Sequence, residues 1–365
     1  DYGFYLNDRV KFYLEAKSLR TDLHREEFAN QAVRYSWNKG VTWAVLTDFE
    51  SLIVFNAQDI TKQLSDKRFF EIPFSQYLNR FDQLWLLSKE SFEEDKISKE
   101  AEKYGKKLQK ISVGISLYED LKECRKLLTH DLSAWNEKVP KDLLDEGVQK
   151  ILDRLIFIRV AEDRGIEPPT LIPLIREWES RPDRDKVPLY NSMISKFREL
   201  DDVYNSNLFS PHPFEEWEEY SGTTKKVIDI LYGKKGYYEY DFKVISADIL
   251  GSVYENYLGY KLLQSKKGMT VHEDAGKRKE QGIYYTPDYI VEYIVNNTLK
   301  PILDRCNSIN DLKKIKVLDP ACGSGSFLIK VLDVIYKKYL EFGNSGGVFT
   351  KLDILLNNIF GVDLD

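Results

Sequence analysis

A short glycine-rich segment near the end of the printed sequence has the residue types of a ligand-binding loop. It runs Asp319-Pro-Ala-Cys-Gly-Ser-Gly-Ser-Phe327 and directly follows the apolar residues 315–318, which predict a buried strand. Residues 328–336 then repeat apolar side chains at helical spacing. A strand, a small-residue loop and a helix in this order open a Rossmann-like sheet. The two glycines allow the backbone to approach an uncharged ligand closely.

This nine-residue string resembles motif I of the N6-adenine DNA methyltransferases that depend on S-adenosylmethionine (SAM). The resemblance implies a Rossmann-like methyltransferase domain whose loop contacts the cofactor. The SAM-binding residues that it implies in this loop are Asp319, Pro320, Ala321, Cys322, Gly323, Ser324, Gly325 and Ser326.

Two neighbouring segments resemble the same family. Upstream, Gly282-Ile-Tyr-Tyr-Thr-Pro287 leads into a helical pattern, with a threonine and a proline where helices commonly begin. In these methyltransferases a Tyr-Thr-Pro segment closes over the methionine end of SAM. The contacts implied here are those of Tyr284, Tyr285, Thr286 and Pro287.

Downstream, residues 355–365 predict the next strand, which ends in acidic residues. A carboxylate at the end of that strand can accept both ribose hydroxyls of an adenosine. By resemblance Asp363 has this role. Asp365 is the alternative, although its place fits the following turn better.

A second group of chemically capable residues lies near the beginning of the printed sequence. Residues 10–17 alternate as a strand does, which puts Glu15 and Lys17 on one face, roughly 6.5–7 Å apart. A carboxylate beside an ammonium can hold a divalent cation and position a water, as in metal-assisted phosphodiester hydrolysis. That chemistry needs a second carboxylate on an adjacent strand. Asp1 precedes the strand by one turn and is the candidate.

The segments that follow predict a helix over residues 25–37 and strands over 42–47 and 52–55. This order of hairpin, helix and strand resembles the PD-(D/E)xK nuclease core. Gln31 and Tyr35 match the Gln-x-x-x-Tyr element of its type I restriction-subunit branch, and their spacing of four puts them on one helix face. The family has a helix and a strand before its Asp. We therefore expect the natural N-terminus to precede the first printed residue, which is not methionine.

The nuclease resemblance implies a role for each matched residue. Asp1 and Glu15 would ligate Mg²⁺ together with the backbone carbonyl of Ala16. Lys17 would position the attacking water and stabilise the transition state. Gln31 and Tyr35 would support the site or the phosphate.

Composition narrows the class of protein. Hydrophobic residues make up 42% and charged residues 31% of the sequence, a composition typical of globular proteins. The length of 365 residues is enough for two or three domains. No apolar run is long enough to cross a bilayer, and the three scattered cysteines indicate a reducing cytoplasm. The four histidines do not cluster, which disfavours a zinc site. A net charge of −6 disfavours a simple nucleic-acid-binding module.

The predicted organisation is an α/β nuclease core over residues 1–87, a helical connector over 88–261 and the N-terminal part of a methyltransferase domain over 262–365. Residues 101–128, 143–161, 223–231 and 245–263 predict helices within or at the end of the connector. Charged residues among 153–164 predict an ion-pair network in a helical bundle. This order of domains resembles the single-chain type IIG restriction–modification enzymes, which methylate adenine N6 in double-stranded DNA or cleave it with Mg²⁺.

The resemblance also implies parts that the printed sequence lacks. An Asn-Pro-Pro-Tyr motif and a target-recognition domain or subunit would lie beyond residue 365, so we expect an N-terminal fragment that does not methylate DNA by itself. Three alternatives stay open at this point: a methyltransferase with an inactive nuclease-like domain, a non-catalytic DNA-binding or scaffold chain, and an RNA methyltransferase. The choice between adenine N6 and cytosine N4 also stays open.

Overall fold

The protein is a mixed α/β structure that is mostly helical. The computed structural model describes residues 2–6, 9–58, 63–104, 112–220, 222–233, 239–258, 260–265, 268–273, 286 and 288–363. The chain divides into two compact units, Asp1–Ser246 with Leu262–His272, and Ala247–Lys261 with Glu273–Asp365. Within the described residues, no helix is both long and apolar enough to cross a membrane.

The first unit begins with a five-stranded sheet in the order β1-β2-β3-β4-β5. Its strands are β1 Tyr2–Leu6, β2 Arg9–Ala16, β3 Trp43–Thr47, β4 Ser51–Asn56 and β5 Arg68–Pro73. Strands β2 and β3 run parallel, and the other neighbouring pairs run antiparallel. The connection between the parallel pair contains helix α1, Glu26–Asn38. The predicted hairpin, helix and strand order is therefore present.

The alternation of side chains along β2 gives the strand one apolar face and one more polar face. Phe12 packs into a core with Val45, Val54 and Ile97. The opposite face carries Glu15 and Lys17 and lies against α1, which also packs on the central strand β3. All five residues of β3 are buried, as expected for a strand that is covered on both faces.

A helical region completes the first unit. Its helices are α2 Leu64–Lys67, α3 Phe81–Trp85, α4 Lys89–Glu93, α5 Lys96–Lys103, α6 Val113–Trp135, α7 Lys141–Asp163, α8 Leu171–Ser180, α9 Leu189–Tyr204 and α10 Thr223–Leu231, with short 3₁₀ turns at Phe74–Gln76 and Pro213–Glu216. Helix α7 packs against α6 and contacts α10, and it carries the predicted ion pairs. Arg159 bonds Glu162 at 3.0 Å and Asp163 at 2.7 Å, and the fully buried Arg154 bonds Glu215 at 2.9 Å.

His212 gives this region a predicted pH dependence. Its Nδ1 atom accepts a hydrogen bond from the Phe214 N–H at 3.1 Å, which requires the neutral ring. Burial lowers the pKa of His212 from its usual value near 6.5, although Glu146 opposes this shift. The unfolded chain therefore binds the proton more readily, so stability is full above about pH 6.5 and falls as the pH decreases toward the folded pKa.

We expect His212→Asn to weaken this pH dependence, because the asparagine Oδ1 atom can accept the same N–H bond without titrating. The measurement is urea unfolding of both proteins between pH 5 and pH 8. Equal losses of stability on acidification in the two proteins would contradict the assignment.

The second unit holds a parallel strand pair and the helices around it. Its elements are α11 Ala247–Leu258, α12 Asp288–Thr298, α13 Lys300–Leu303, α14 Ile309–Lys314, β8 Val317–Asp319, α15 Ser326–Glu341, α16 Val348–Asn357 and β9 Ile359–Gly361. Helix α15 buries Ile335 and Tyr339 against Val295 of α12 and Ile354 of α16. This core fixes the two strands and the loop between β8 and α15.

One helix prediction is wrong at its end. The helical pattern predicted for residues 245–263 stops at Leu258, and residues 260–265 form strand β6, which pairs with β7, Gly268–Glu273. The apolar spacing in Tyr260-Lys-Leu-Leu-Gln-Ser265 is compatible with either structure, and pairing with a neighbouring strand decides between them.

Candidate functional sites

The first candidate site lies on the face of β2 that meets α1. The Lys17 Nζ atom is 2.6 Å from Glu15 Oε1 and donates a second bond to Gln31 Oε1 at 3.3 Å. Glu15 is only 8% exposed, and the Lys17 ammonium also lies 4.7 Å from the centre of the Phe28 ring. Three of the residues predicted for the nuclease site are therefore in direct contact.

Tyr35 lies one helical turn beyond Gln31 and contacts a different neighbour. Its ring meets the Tyr13 ring edge to face, with centres 4.9 Å apart. Tyr13 is two residues before Glu15 on the same strand face, and Lys39 lies 5.9 Å from the centre of the Tyr35 ring. Sequence reasoning missed Tyr13 and Lys39, although strand alternation and helical spacing put both on the faces that carry Glu15 and Tyr35.

These side chains line an open cavity of about 490 Å³ beside the Glu15–Lys17 pair. We call it the tyrosine cavity, and its lining residues are Tyr2, Gly3, Tyr5, Tyr13, Leu14, Glu15, Gln31, Ala32, Tyr35 and Lys39. Burial, followed by the neighbouring Tyr35 and Tyr5, raises the pKa of Tyr13 to about 12. The Tyr13 hydroxyl is therefore a neutral hydrogen-bond donor at physiological pH.

Some of the groups predicted to ligate Mg²⁺ lie among the described residues. Glu15 is the only acidic side chain among the residues that line the tyrosine cavity, and the Ala16 carbonyl follows it in the chain. Asp1, the predicted second carboxylate ligand, lies outside the described residues. Among the described residues there is no group of three or more His, Cys, Asp or Glu side chains that could hold a metal ion.

A short segment between α10 and α11 fixes helix α1 in place. The Asn38 side chain donates to the Glu239 carbonyl at 3.3 Å and accepts from the Asp241 N–H at 3.1 Å. The Trp37 ring stacks on the Tyr240 ring, with centres 5.6 Å apart. The same segment is held from the other side by α7, because the Phe242 N–H donates to Asp163 at 2.8 Å. The helix that supplies Gln31 therefore depends on contacts with residues about 200 positions away.

We expect Asn38→Ala to lower the free energy of unfolding of the first unit by about 1–3 kcal/mol, because it leaves buried backbone groups without partners. Asn38 is fully buried. Asn30→Ala, on the exposed side of the same helix, is the matched control and should have a much smaller effect. Urea unfolding of the two variants checks the prediction, and equal effects would contradict it.

The second candidate site is the glycine loop between β8 and α15. Strands β8 and β9 run parallel, with Asp319 opposite Gly361, so both strands end at one edge. The loop is tied to the chain beyond β9 because the Cys322 N–H donates to the Val362 carbonyl at 2.9 Å. Gly325 has φ +82° and precedes the first residue of α15, a conformation that only glycine adopts without strain.

The acidic residues of the two strand ends meet in this loop. The Asp363 carboxylate accepts a 2.7 Å bond from the Gly323 N–H, and Asp319 accepts one from the Ala321 N–H at 3.2 Å. Burial, together with the charges of Asp363 and Asp319, raises the pKa of the Cys322 thiol. The predicted loop residues and Asp363 therefore lie together at one edge of the strand pair.

Helix α11 lies directly against the loop. A Cβ atom added to Gly251 would be 2.6 Å from the Ser324 Oγ atom, so a glycine at this position lets the helix and the loop approach closely. Of the predicted Tyr-Thr-Pro segment, Thr286 is described and is half-buried. Tyr284, Tyr285 and Pro287 lie outside the described residues, as does Asp365.

Comparison with known proteins places the second site in a class. Residues 245–365 match the family model described as N-6 DNA Methylase, a range that contains α11, the glycine loop and Asp363. No solved structure matches the chain. The predicted resemblance of this region to adenine-N6 methyltransferases is therefore confirmed.

Similarity to a curated protein extends beyond this region to the N-terminal part of the chain. The type II restriction enzyme and methyltransferase RM.Eco57I of Escherichia coli is 26% identical along the whole chain, which covers 38% of that protein. The putative type II restriction enzyme and methyltransferase RM.MjaORFECS2P of Methanocaldococcus jannaschii is 25% identical over 59% of the chain and 23% of its own length. The adenine-specific methyltransferase BrxX of Escherichia coli O9:H4 is 28% identical over 32% of the chain and 12% of its own length.

The resemblance to single-chain restriction–modification enzymes is thus confirmed, since the similarity to RM.Eco57I covers the whole chain, from the five-stranded sheet through the helical region to the region that matches N-6 DNA Methylase. The chain spans about two fifths of the length of this relative.

Proposed function

We propose that this chain belongs to a bifunctional type II restriction–modification enzyme, with Mg²⁺-dependent DNA cleavage and SAM-dependent methylation of adenine N6 in double-stranded DNA. The functional division would be a PD-(D/E)xK nuclease domain over residues 1–87, a helical connector over 88–261 and a Rossmann-like methyltransferase domain from 262. The observation that carries the proposal is that one chain holds both the Glu15–Lys17–Gln31 cluster and the glycine loop with Asp363.

The geometry of the glycine loop fits SAM. Among the residues that the structure describes, no atom lies within 4 Å of a Cβ position at Gly325, which leaves space for a ligand beside the loop backbone. Asp363 is exposed, and because a carboxylate can accept several hydrogen bonds it would accept those of the ribose hydroxyls. SAM would supply the methyl group on its sulfonium. The loop backbone and Asp319 would orient the methionine end, with Thr286 and its neighbours closing over it.

In the nuclease site, Lys17 would orient a water and stabilise the charge that develops on the scissile phosphate. Glu15 fixes the Lys17 ammonium, and Gln31 restrains it from the helix side. Asp1, Glu15 and the Ala16 carbonyl would hold Mg²⁺, which supplies Lewis-acid activation when bound. Tyr35 would support the site or the phosphate from its position in the tyrosine cavity.

We further infer double-stranded DNA as the partner and a target-recognition domain or subunit as the source of sequence selection. A cytoplasmic location agrees with the three free cysteines, which form no disulfide.

A second candidate function is a DNA methyltransferase with an inactive nuclease-like domain. It is favoured by the close ion pair between Glu15 and Lys17, because such a pair can have a purely structural role. Calorimetric titration of Mn²⁺ into the wild type and Glu15→Gln separates the two functions. Binding that depends on Glu15 supports the nuclease, and the absence of such binding supports the second candidate.

The methylation proposal is tested by mass spectrometry of nucleosides from plasmid DNA incubated with the full-length protein and SAM. The expected product is N6-methyladenine. N4-methylcytosine would contradict the assignment of the target base, and unmodified DNA would contradict the assignment of methyl transfer.

A further inference from the structure

The tyrosine cavity contains more polar and aromatic side chains than the proposed cleavage mechanism involves. Beside Glu15 it presents the rings of Tyr5, Tyr13 and Tyr35 and the ammonium of Lys39. Tyr5 is 65% exposed, so its ring is available to a ligand at the mouth of the cavity. The negative charge of Glu15 is already balanced by Lys17, whose Nζ atom is 2.6 Å from Glu15 Oε1. Lys39 has no acidic partner within the described part of the chain, so its ammonium is a candidate partner for a phosphate.

A glycine on the edge strand makes room for the aromatic wall. Gly3 pairs with Tyr13 across β1 and β2. A Cβ atom added to Gly3 would be 3.0 Å from the Tyr5 ring and 3.2 Å from the Tyr13 ring. A side chain at this position would crowd both rings, so glycine helps them to lie close to the backbone of β1.

The ring of Tyr35 is held between the strand and Lys39. It meets Tyr13 edge to face at 4.9 Å, and the Lys39 Nζ atom lies 5.9 Å from its centre. An aromatic surface with a neighbouring cation and neutral hydroxyl donors suits a nucleotide, whose base or sugar packs on rings and whose phosphate needs a positive charge.

We propose that the tyrosine cavity binds one nucleotide of the DNA strand next to the bond that is cut, with Lys39 on its phosphate and Tyr5, Tyr13 and Tyr35 on its sugar or base. Tyr13 and Glu15 are two positions apart on one strand face, which is roughly 6.5–7 Å and comparable with one nucleotide step. Lys39 is thus a positioning residue for the cleavage reaction. This inference rests on the proposed nuclease function.

The test replaces single phosphates with neutral methylphosphonate linkages across the cleaved region of a DNA duplex. The full-length protein is used as wild type, Lys39→Met and Lys89→Met, the last being an exposed lysine of α4 that does not line the cavity. One linkage beside the cut should lower cleavage by the wild type by about 10- to 100-fold, as expected for loss of a hydrogen bond to a charged group.

Lys39→Met should lower cleavage of the unmodified duplex by a similar factor and should be insensitive to that one linkage. Lys89→Met should behave as the wild type. Gly3→Val, which narrows the cavity from the exposed edge strand, should lower cleavage without affecting methyl transfer.

The outcomes separate the inference from the function on which it rests. If the wild type cleaves, and if Lys39→Met lowers cleavage of every modified duplex by the same factor as it lowers cleavage of the unmodified one, Lys39 contacts none of the tested phosphates. The inference is then overturned. If the wild type does not cleave, the nuclease proposal fails and the inference fails with it.

Discussion

Replacing Lys17 by methionine is expected to lower DNA cleavage by the full-length protein by about 10²–10³-fold, since a preorganised charge at the reacting phosphate contributes an effect of this size. Methionine keeps most of the side-chain length and removes only the ammonium. The Lys17 ammonium bonds Glu15 at 2.6 Å and Gln31 at 3.3 Å, so it is held in one position before DNA arrives. Methyl transfer should be unchanged, because the glycine loop belongs to the other compact unit.

Lys11→Met is the matched control, because Lys11 lies on the same strand face as Lys17, further from the Glu15 carboxylate. It should alter cleavage by no more than a few-fold. The measurement is single-turnover cleavage of a plasmid, with tritiated methyl transfer followed in parallel. Cleavage by Lys17→Met at the wild-type rate would remove Lys17 from the catalytic site.

Replacing Gly325 by valine is expected to lower methyl transfer by more than about 10²-fold. A β-branched residue at φ +82° is strained by about 1–3 kcal/mol, and its side chain would enter the open space beside the loop where the cofactor is proposed to lie. SAM affinity, measured by equilibrium dialysis, should fall in parallel. Cleavage in the absence of SAM should be retained.

The control variant Gly343→Val distinguishes the effect of backbone strain from the effect of blocking the SAM site. Gly343 has φ +80° and open space around its Cβ position, but it follows the C-terminal end of α15, the helix whose N-terminal end carries the loop. Both variants should lose similar stability, and only Gly325→Val should lose SAM affinity. Equal SAM affinities in the two variants would mean that the loop does not bind the cofactor.

Local sequence patterns were sufficient for the parts of each site that lie on one element or in one loop. Alternation along β2 placed Glu15 and Lys17 on one face, and a spacing of four placed Gln31 and Tyr35 on one helix face. The structure adds that Gln31 contacts Lys17. The order of strand, glycine loop and helix predicted the turn at Gly325 because few residue types tolerate its backbone conformation. The catalytic and cofactor roles of these residues stay predictions.

Local sequence patterns could not predict the contacts between segments that are distant in the sequence. The tyrosine cavity forms only where β1, β2 and α1 meet. No local sequence pattern predicts that Gly3 lies beside the rings that line it. The bond between Asn38 and Asp241 joins residues 203 positions apart. The change from helix to strand at residues 259–260 depended on pairing with β7, because the apolar spacing itself fits both structures.

The central claim is that one chain carries two separable reactions on the same DNA. It is tested most directly by incubating a plasmid first with the full-length Lys17→Met protein and SAM, and then with the wild type and Mg²⁺. The account predicts discrete fragments from the untreated plasmid and resistance of the pretreated plasmid, because methylation by the variant would protect the sites that the wild type cuts. A plasmid that gains methyl groups but is never cut by the wild type would contradict the account and leave a methyltransferase with an inactive nuclease-like domain.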